Sequence, residues 1–504
     1  MTTLVDRLAT HRGETTALCV DEARVSYESL HQRVDGCAAG LLDGRDDLGE
    51  ERIALLLPAG IDYVTALLGT WRAGGVAVPL NTAAATKEIE YALTTARATR
   101  LFCGDVPDAN LAAVCDVLGI KLLTLATVAG DGTATLPAIA SGRRAMMLFT
   151  SGTTSKPKGV VSTHANIAAQ ITALVEAWRW TADDRIPLFL PLHHIHGIVN
   201  VLCCALWAGA RIDLIEGLDL GRIAPRVAAG RYTAFMAVPT VYVKLINAIS
   251  EMPAGERDAV CAGFGAMRLM VSGSAACPVS VHEKWRELTG QTLLERYGMT
   301  EIGMALSNPY AGERRPGTVG RPLPGVDILL VDESGNRVDS ESTPGEIWVR
   351  GANVFGEYWD NPAATAEAFS DGWFRTGDVA DIVDGYYRIL GRSSVDIIKS
   401  GGYKLSALEI ESALLDHEAV AECAVVGIPD DTWGEAVHAA VVLRTGATLT
   451  PDALRGWCKQ RMSNYKVPKH IRFVDSLPRN AMGKVTKRDV RDLLQQPDPE
   501  VPGP

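Results

Sequence analysis

Short apolar runs alternate with amphipathic stretches along much of this chain. RIALLLP at 52–58 precedes IDYVTALLGTWRAG, AFMAV at 234–238 precedes PTVYVKLINAI, and AMMLF at 145–149 empties into a polar loop. Short apolar runs bounded by turn residues read as strands covered on both faces, and stretches with apolar positions three and four apart read as helices packed on them. The alternation predicts an α/β chain with mainly parallel, doubly wound sheets. From about Gly317 the pattern changes: TVGRPLPGVDILLVDESGN and GEIWVRG carry Pro-Gly and Ser-Gly punctuation between β-rich runs. This predicts a β subdomain. After GYYRILGR (385–392) a further unit begins, with helix-like SALEIESALL and strand-like AECAVVGI and AVVLR. At about 110 residues it is long enough to fold as a domain. The predicted division is a large N-terminal domain over 1–392, including the β subdomain, and a small α+β C-terminal domain over 393–504.

Composition narrows the function classes. At 504 residues the chain exceeds one ordinary core, and its 47% hydrophobic and 22% charged residues suit a globular protein with ample core material. The formal charge of −11 sets a field that repels nucleic acid, which is therefore not expected as a partner. Ten cysteines include no CxxC pair, so reduced and mostly buried thiols are expected. The start, MTTLVDRLATHRGE, mixes acids and bases without an apolar core, so no secretory signal is expected and the cytoplasm is the default compartment. The uncharged stretch from Ile186 to Ala210 contains two prolines, three histidines and an asparagine, which predicts a buried strand, loop and helix rather than a membrane span.

The strongest local signal is LFTSGTTSKPKG, residues 148–159, where an apolar strand runs into hydroxyls, glycines and two lysines. Backbone N–H groups of such a loop, joined by Ser151, Thr153 and Thr154 and by Lys156 and Lys158, can wrap a polyphosphate. No GxxxxGK[ST] pattern fits it, so it is not a P-loop, and a plain surface turn remains open on composition alone. This segment closely resembles the phosphate-binding signature of the acyl-adenylate-forming superfamily. Further matches follow in that family's order across nearly the whole chain: PLHHIHG (191–197), SGSAACP (272–278), ERYGMTE (295–301), RTGD (375–378), GRSSVDIIKSGGYKLSALEIE (391–411) and PRNAMGKV (478–485).

The resemblance implies an AMP-forming acid–CoA ligase with ATP, Mg²⁺ and CoA, and it assigns roles residue by residue. ATP and AMP would be held by Thr150, Ser151, Gly152, Thr153, Thr154, Lys158, Ser274, Tyr297, Thr300, Asp378 and Arg392. Glu301 would hold Mg²⁺, as a hard carboxylate suits that ion. Thr300 would donate to the α-phosphate, Tyr297 would lie against the adenine, and Asp378 with Arg392 would bind the ribose. Lys484 would bridge the acid and the α-phosphate, where a compact cation neutralises developing charge. The same lysine is an acylation target in the family, which makes an acetyltransferase and a deacylase expected partners. Lys399, Ser400, Gly401, Gly402, Tyr403 and Lys404 would reach the CoA site after the small domain, mobile by this resemblance, turns about a hinge near Ser393 to Val395.

The acyl site is expected from His194, Lys244, Ser272 and Met304. A dicarboxylate needs a buried cation for its distal carboxylate, since an unpaired buried charge costs several kcal/mol. Lys244, in AVPTVYVKL, is the candidate, where many bacterial members carry Arg. The flanking segments are most similar to malonyl-CoA synthetases, which also accept methylmalonate. A ligase for a short, medium-chain or aryl monocarboxylate and a non-catalytic nucleotide binder are the alternatives. The three histidines of HHIHG cannot all face one way on a regular element and have no nearby acid or cysteine, so a metal site is not expected there.

Overall fold

In a computed structural model of the chain, residues 2–11, 13–104, 108–128, 130, 134–150, 157–401, 403–479 and 485–496 are described. A seven-stranded sheet carries, in spatial order, Glu357–Tyr358, Lys158–Thr163, Arg144–Thr150, Val76–Pro79, Arg52–Leu55, Arg100–Phe102 and Lys121–Leu123. Its five strands from Arg144–Thr150 to Lys121–Leu123 are parallel, as the alternating pattern predicts. The polar loop after AMMLF instead returns as an antiparallel hairpin, with Thr150 opposite Lys158. Helices Ile61–Arg72 and Pro239–Glu251 follow RIALLLP and AFMAV as expected.

A second sheet runs Ala234–Ala237, Leu269–Ser272 and Leu294–Met299 in parallel, then Gly303–Ser307 and Arg321–Pro322 antiparallel. Beneath it Tyr242, Phe264 and Trp285 pack edge to face at 5.0–5.1 Å, and Tyr242 donates its hydroxyl to the Val271 carbonyl at 2.9 Å. Each such pair contributes about 0.5–1.5 kcal/mol beyond burial. The strand ends above are thereby held rigidly. A third sheet pairs Thr16–Val20 with Ala23–Ser26 and with Arg211–Leu214, next to Arg185–Leu188.

The β-rich segment forms an antiparallel sheet of Val326–Val331, Gly345–Gly351, Trp373–Val383, Phe369–Ser370 and Tyr386–Arg392. Beyond it, Ile397–Ser400, Tyr403–Ser406, Val420–Asp430, Gly434–Leu443 and His470–Phe473 make the last sheet. Residues from Ile398 to Ile471 enclose their own apolar core, separate from the large core that spans Leu4 to Ala380. The chain is thus α/β, with a large N-terminal part and a small C-terminal α+β part.

The uncharged segment folds as strand Arg185–Leu188, a turn, and a helix that starts in π geometry over His196–Cys203 before becoming α over Cys204–Ala208. Wide π turns are frequent where a helix supplies functional side chains. No helix among the described residues is long and apolar enough to cross a membrane. Eight of the ten cysteines are buried, with Cys261 and Cys423 half-buried.

Candidate functional site

The site gathers at the carboxyl ends of parallel strands, where open α/β sheets hold ligands. Thr150 ends its strand half-buried, and residues 151–156, including Ser151, Gly152, Thr153, Thr154 and Lys156, lie outside the described residues, as do Gly402 and Lys484. Lys158 opens the returning strand with its ammonium 4.7 Å from the centre of the Tyr358 ring, a cation–π contact. The Tyr358 hydroxyl in turn donates to Glu301 Oε1 at 3.0 Å. Burial pushes the Glu301 carboxyl up, against the opposing pull of the Tyr358 bond and the charges of Arg392 and Lys158. Glu301 has no ion-pair partner among the described residues and is 5% exposed, so its charge is available to a hard cation. Thr300 precedes it in the turn, half-buried. That turn needs Gly303, whose φ is +61° and whose Cβ would come within 2.4 Å of the Gln170 amide.

Asp378, in the Trp373–Val383 strand, is fully engaged. Its Oδ2 accepts the Tyr297 hydroxyl at 2.6 Å, and its Oδ1 accepts Arg392 Nε at 2.9 Å. Asp378 and Arg392 face each other across antiparallel strands, so the pair is fixed by register. The hydroxyl bond anchors the Tyr297 ring, the one expected against a base, beside this carboxylate.

A second cluster carries the opposite character. Arg296 is 3% exposed on the central Leu294–Met299 strand and forms no ion pair among the described residues. Its Nη2 donates to Ser274 Oγ at 3.2 Å, and the same oxygen lies 3.4 Å from His196 Nδ1. Ser274 holds φ at +71°, a left-handed conformation rare outside glycine, and such strain collects at functional sites. Gly273 makes room, since a Cβ there would lie 2.6 Å from Arg296 Nε. Burial drives the guanidinium down to about 9, and burial first, then the charge of Arg296 and His194, keeps His196 well below its ordinary value. With Ser274 Oγ already accepting from Arg296, its proton is free for His196 Nδ1, leaving Nε2 as a donor. Arg296 Nε, His196 Nε2 and Asn200 Nδ2 are then buried donors without acceptors among the described residues. His196 and Asn200 lie one turn apart on the same π-helix, and Asn200 Oδ1 receives Gln170 Nε2 at 3.3 Å.

Ser272 is fully buried at the end of its strand, and Met304 is 2% exposed with its side chain over Gly298. His194 is half-buried in the turn before the π-helix, its ring 4.2 Å from that of His193. No group of three or more His, Cys, Asp or Glu among the described residues is placed to hold a metal ion. Lys244 is a correction. On its helix, Tyr242, Leu245, Ile246 and Ile249 take the buried face, which leaves Lys244 exposed beside the exposed Val243. Lys244 is therefore not buried, as the expected acyl cation would be, whereas Arg296 is. The motif reading passed over Arg296 because ERYGMTE was read for its tyrosine, threonine and glutamate. The available signal was an adjacent Glu295-Arg296 pair inside the strand run LLERYG, whose neighbouring side chains point to opposite faces.

Lys399, Ser400, Gly401 and Tyr403 lie on the Ile397–Ser406 hairpin, where none has a bond to Asp378 or Arg296 among the described residues. Lys399 Nζ pairs with Glu333 at 3.1 Å, Gly401 N–H donates to the Trp433 carbonyl at 2.8 Å, and Tyr403 stacks on Tyr465 at 4.5 Å. The backbone of Lys404 stands opposite Lys399 in that hairpin.

The fold and the paired nucleotide-type and donor-type clusters define an adenylating enzyme. Residues 5–359 match the AMP-binding enzyme family and residues 409–484 match the AMP-binding enzyme C-terminal domain, so the chain belongs to the AMP-binding enzymes. Among its relatives is the mitochondrial malonate–CoA ligase ACSF3 of Bos taurus, 43% identical over 95% of this chain and 89% of that protein. The Homo sapiens protein of the same name is 42% identical over 94% of this chain and 89% of its own length. Among solved structures, ATP-bound MatB from Rhodopseudomonas palustris superposes with a TM-score of 0.89 at 34% identity, covering 98% of this chain and 99% of that one.

Proposed function

We propose that this chain is an ATP-dependent malonate–CoA ligase that works through malonyl-adenylate and releases AMP and pyrophosphate. The carrying observation is the buried Arg296 guanidinium, which forms no ion pair among the described residues. A guanidinium keeps its charge in proteins, so a buried one needs an anion. Arg296 Nε, His196 Nε2 and Asn200 Nδ2 offer donors where the distal carboxylate of a short diacid can supply it, while a monocarboxylate leaves them unpaired. Methylmalonate, which adds only a methyl group, is the second acid to try.

In this reading the proximal carboxylate oxygen attacks the α-phosphorus, the bond from α-phosphorus to the bridging oxygen breaks, and pyrophosphate leaves. Two anions must meet, so catalysis is positioning and charge neutralisation. Lys158, Thr150 and the hydroxyl loop Ser151–Thr154 hold the phosphates, with Thr300 on the α-phosphate and Ser274 near it. Lys484 bridges the reacting oxygens, and Asp378 with Arg392 takes the ribose by exchanging the Tyr297 hydroxyl for ribose hydroxyls. Glu301 would hold Mg²⁺, which when bound would supply charge neutralisation at the phosphates. CoA thiolate then attacks the acyl carbon and AMP leaves, with His194 near the acyl group and the Lys399–Lys404 hairpin brought in by rotation of a mobile domain starting at residue 393. Met304 and Ser272 close the acyl pocket.

Acylation of Lys484 would remove its charge and stop the first step, so an acetyltransferase and a deacylase belong to this proposal; activity unrestored by a deacylase after acetylation argues against it. Cytoplasmic residence belongs to it as well, and fractionation of the producing cells is the check, since the bovine relative's name places that protein in mitochondria. The deciding experiment follows ATP-, Mg²⁺- and CoA-dependent pyrophosphate release with malonate, methylmalonate, succinate, acetate, butyrate, octanoate and benzoate. Malonate should lead in kcat/KM; a leading monocarboxylate overturns the diacid reading and leaves the ligase class intact.

A further inference from the structure

The nucleotide-type cluster does not end at Arg392. Its backbone N–H donates to Asp396 Oδ2 at 3.0 Å, closing the turn that leaves the strand Tyr386–Arg392. The other oxygen, Asp396 Oδ1, lies 3.3 Å from the Lys487 ammonium, which also donates to the Val425 carbonyl at 2.8 Å and to Glu411 Oε1. Glu411 Oε1 accepts the Val425 N–H at 2.6 Å as well. The side chains of Lys487, Asp396 and Glu411 are only 14–15% exposed. Gly391 completes the packing, because a Cβ there would meet the Asp396 Cβ at 2.4 Å.

One buried cation therefore serves two carboxylates. Remove it, and Asp396 and Glu411 are left as buried like charges, a situation relieved only by movement of one of them. Glu411 is held by its helix Ala407–Leu415 and by the Val425 N–H, whereas Asp396 sits in the turn after Arg392, so a shift of its carboxylate is passed directly to the Arg392 backbone. Asp396 is also the group that fixes the Arg392 backbone, and Arg392 Nε holds Asp378.

We propose that Lys487 is a positioning residue for the nucleotide site: through Asp396 it fixes the turn that presents Arg392 to Asp378. The inference rests on the reading of Asp378 and Arg392 as the ribose-binding pair. It assigns a function to a lysine on the C-terminal helix Lys487–Gln495 that touches no substrate. It also makes nucleotide affinity depend on a contact inside the C-terminal part, carried to Arg392 through the turn at Asp396.

The test is AMP binding by titration calorimetry on the full chain, with thermal midpoint and KM for ATP recorded for each variant. Lys487→Met should weaken AMP about three- to thirtyfold and raise KM for ATP while leaving KM for malonate unchanged. Lys487→Arg, which keeps the charge, should restore affinity. Asp396→Ala, which removes the acceptor of the Arg392 N–H together with the charge facing Lys487, should reproduce the Lys487→Met loss by a second route. Arg455→Gln, on an exposed ion pair of the same small unit, is the control and should change nothing. Wild-type AMP affinity in folded Lys487→Met or in folded Asp396→Ala overturns the inference, even if the thermal midpoint falls. A wild-type chain that binds no AMP instead overturns the reading of the ribose pair, and the inference with it.

Discussion

The two ends of the candidate site solve opposite problems. At Asp378 every strong group has a partner: the carboxylate takes Tyr297 on one oxygen and Arg392 on the other. At Arg296 buried donors have no acceptors among the described residues, and the cluster is held by Ser274 and His196. A satisfied cluster gains little net energy from a ligand, because ligand bonds replace existing ones, but it holds its geometry before binding. An unsatisfied cluster destabilises the empty protein and returns that energy only to a ligand bearing the matching charge. Orientation belongs to the first region and selectivity to the second.

Arg296→Met breaks the comparison most severely. Removing one member of a buried charge pair costs about 2–5 kcal/mol of binding, so kcat/KM for malonate should fall roughly 30- to 5,000-fold. Acetate and butyrate, which never used the guanidinium, should be unaffected or improved. The thermal midpoint of the empty enzyme should hold or rise, because an uncompensated buried cation has been removed. Equal losses for malonate and butyrate would mean that Arg296 only supports the fold. Asp378→Asn attacks the other end: losing charge-assisted bonds of about 1.5–3 kcal/mol should raise KM for ATP roughly 10- to 150-fold and leave KM for malonate unchanged. A matching rise in the malonate KM would erase the division of labour.

The residues proposed for the ribose were legible in the sequence and the buried Arg296 was not. Asp378, Arg392, Thr300 and Glu301 stand inside motifs that the family resemblance singles out, and the structure pairs Asp378 with Arg392 across antiparallel strands and sets Thr300 and Glu301 in the turn after Leu294–Met299. The acyl cation was sought on a helix, at Lys244, because a lysine after a core strand is conspicuous. Its direction depends on the helix phase, and the phase set by Tyr242, Leu245 and Ile246 turns it outward. Arg296 was visible as a letter, yet its burial, its lack of an acid and its contact with a serine in strained backbone are tertiary facts. The same holds for the π turn at His196–Cys203 and for the antiparallel return after Thr150, which local pattern does not encode. The strand and helix alternation of 52–72 and 234–251 was readable because period and punctuation agree there.

Glu301 belongs to neither cluster, and pH separates its behaviour from theirs. Burial holds this carboxyl above the ordinary glutamate value in the folded chain. As pH falls through that raised value the group takes up a proton earlier than an exposed glutamate does, and a protonated carboxyl no longer holds Mg²⁺. The Mg²⁺ concentration for half-maximal pyrophosphate release should therefore rise on mild acidification, before KM for malonate moves. The stability sign is opposite: a raised carboxyl favours the folded state at low pH and loses that contribution as pH climbs from the unfolded value through the folded one. A Mg²⁺ requirement that is flat until the ordinary glutamate range would remove Glu301 from the metal role.

The smallest effect is the most discriminating for the acyl end. Lys244 is an exposed helix lysine, and substitutions at such positions change stability or binding by no more than about 0.5 kcal/mol. Lys244→Met should accordingly leave kcat/KM for malonate within about twofold of wild type. A long-range charge effect would show as a modest rise in KM that disappears with added salt, since exposed charges beyond about 10 Å are screened at 0.1 M ionic strength. A large, salt-insensitive rise confined to malonate would place the lysine against the distal carboxylate after all. Arg296 would then share the charge with a second cation supplied by helix movement, and the acyl end would lose its preformed character.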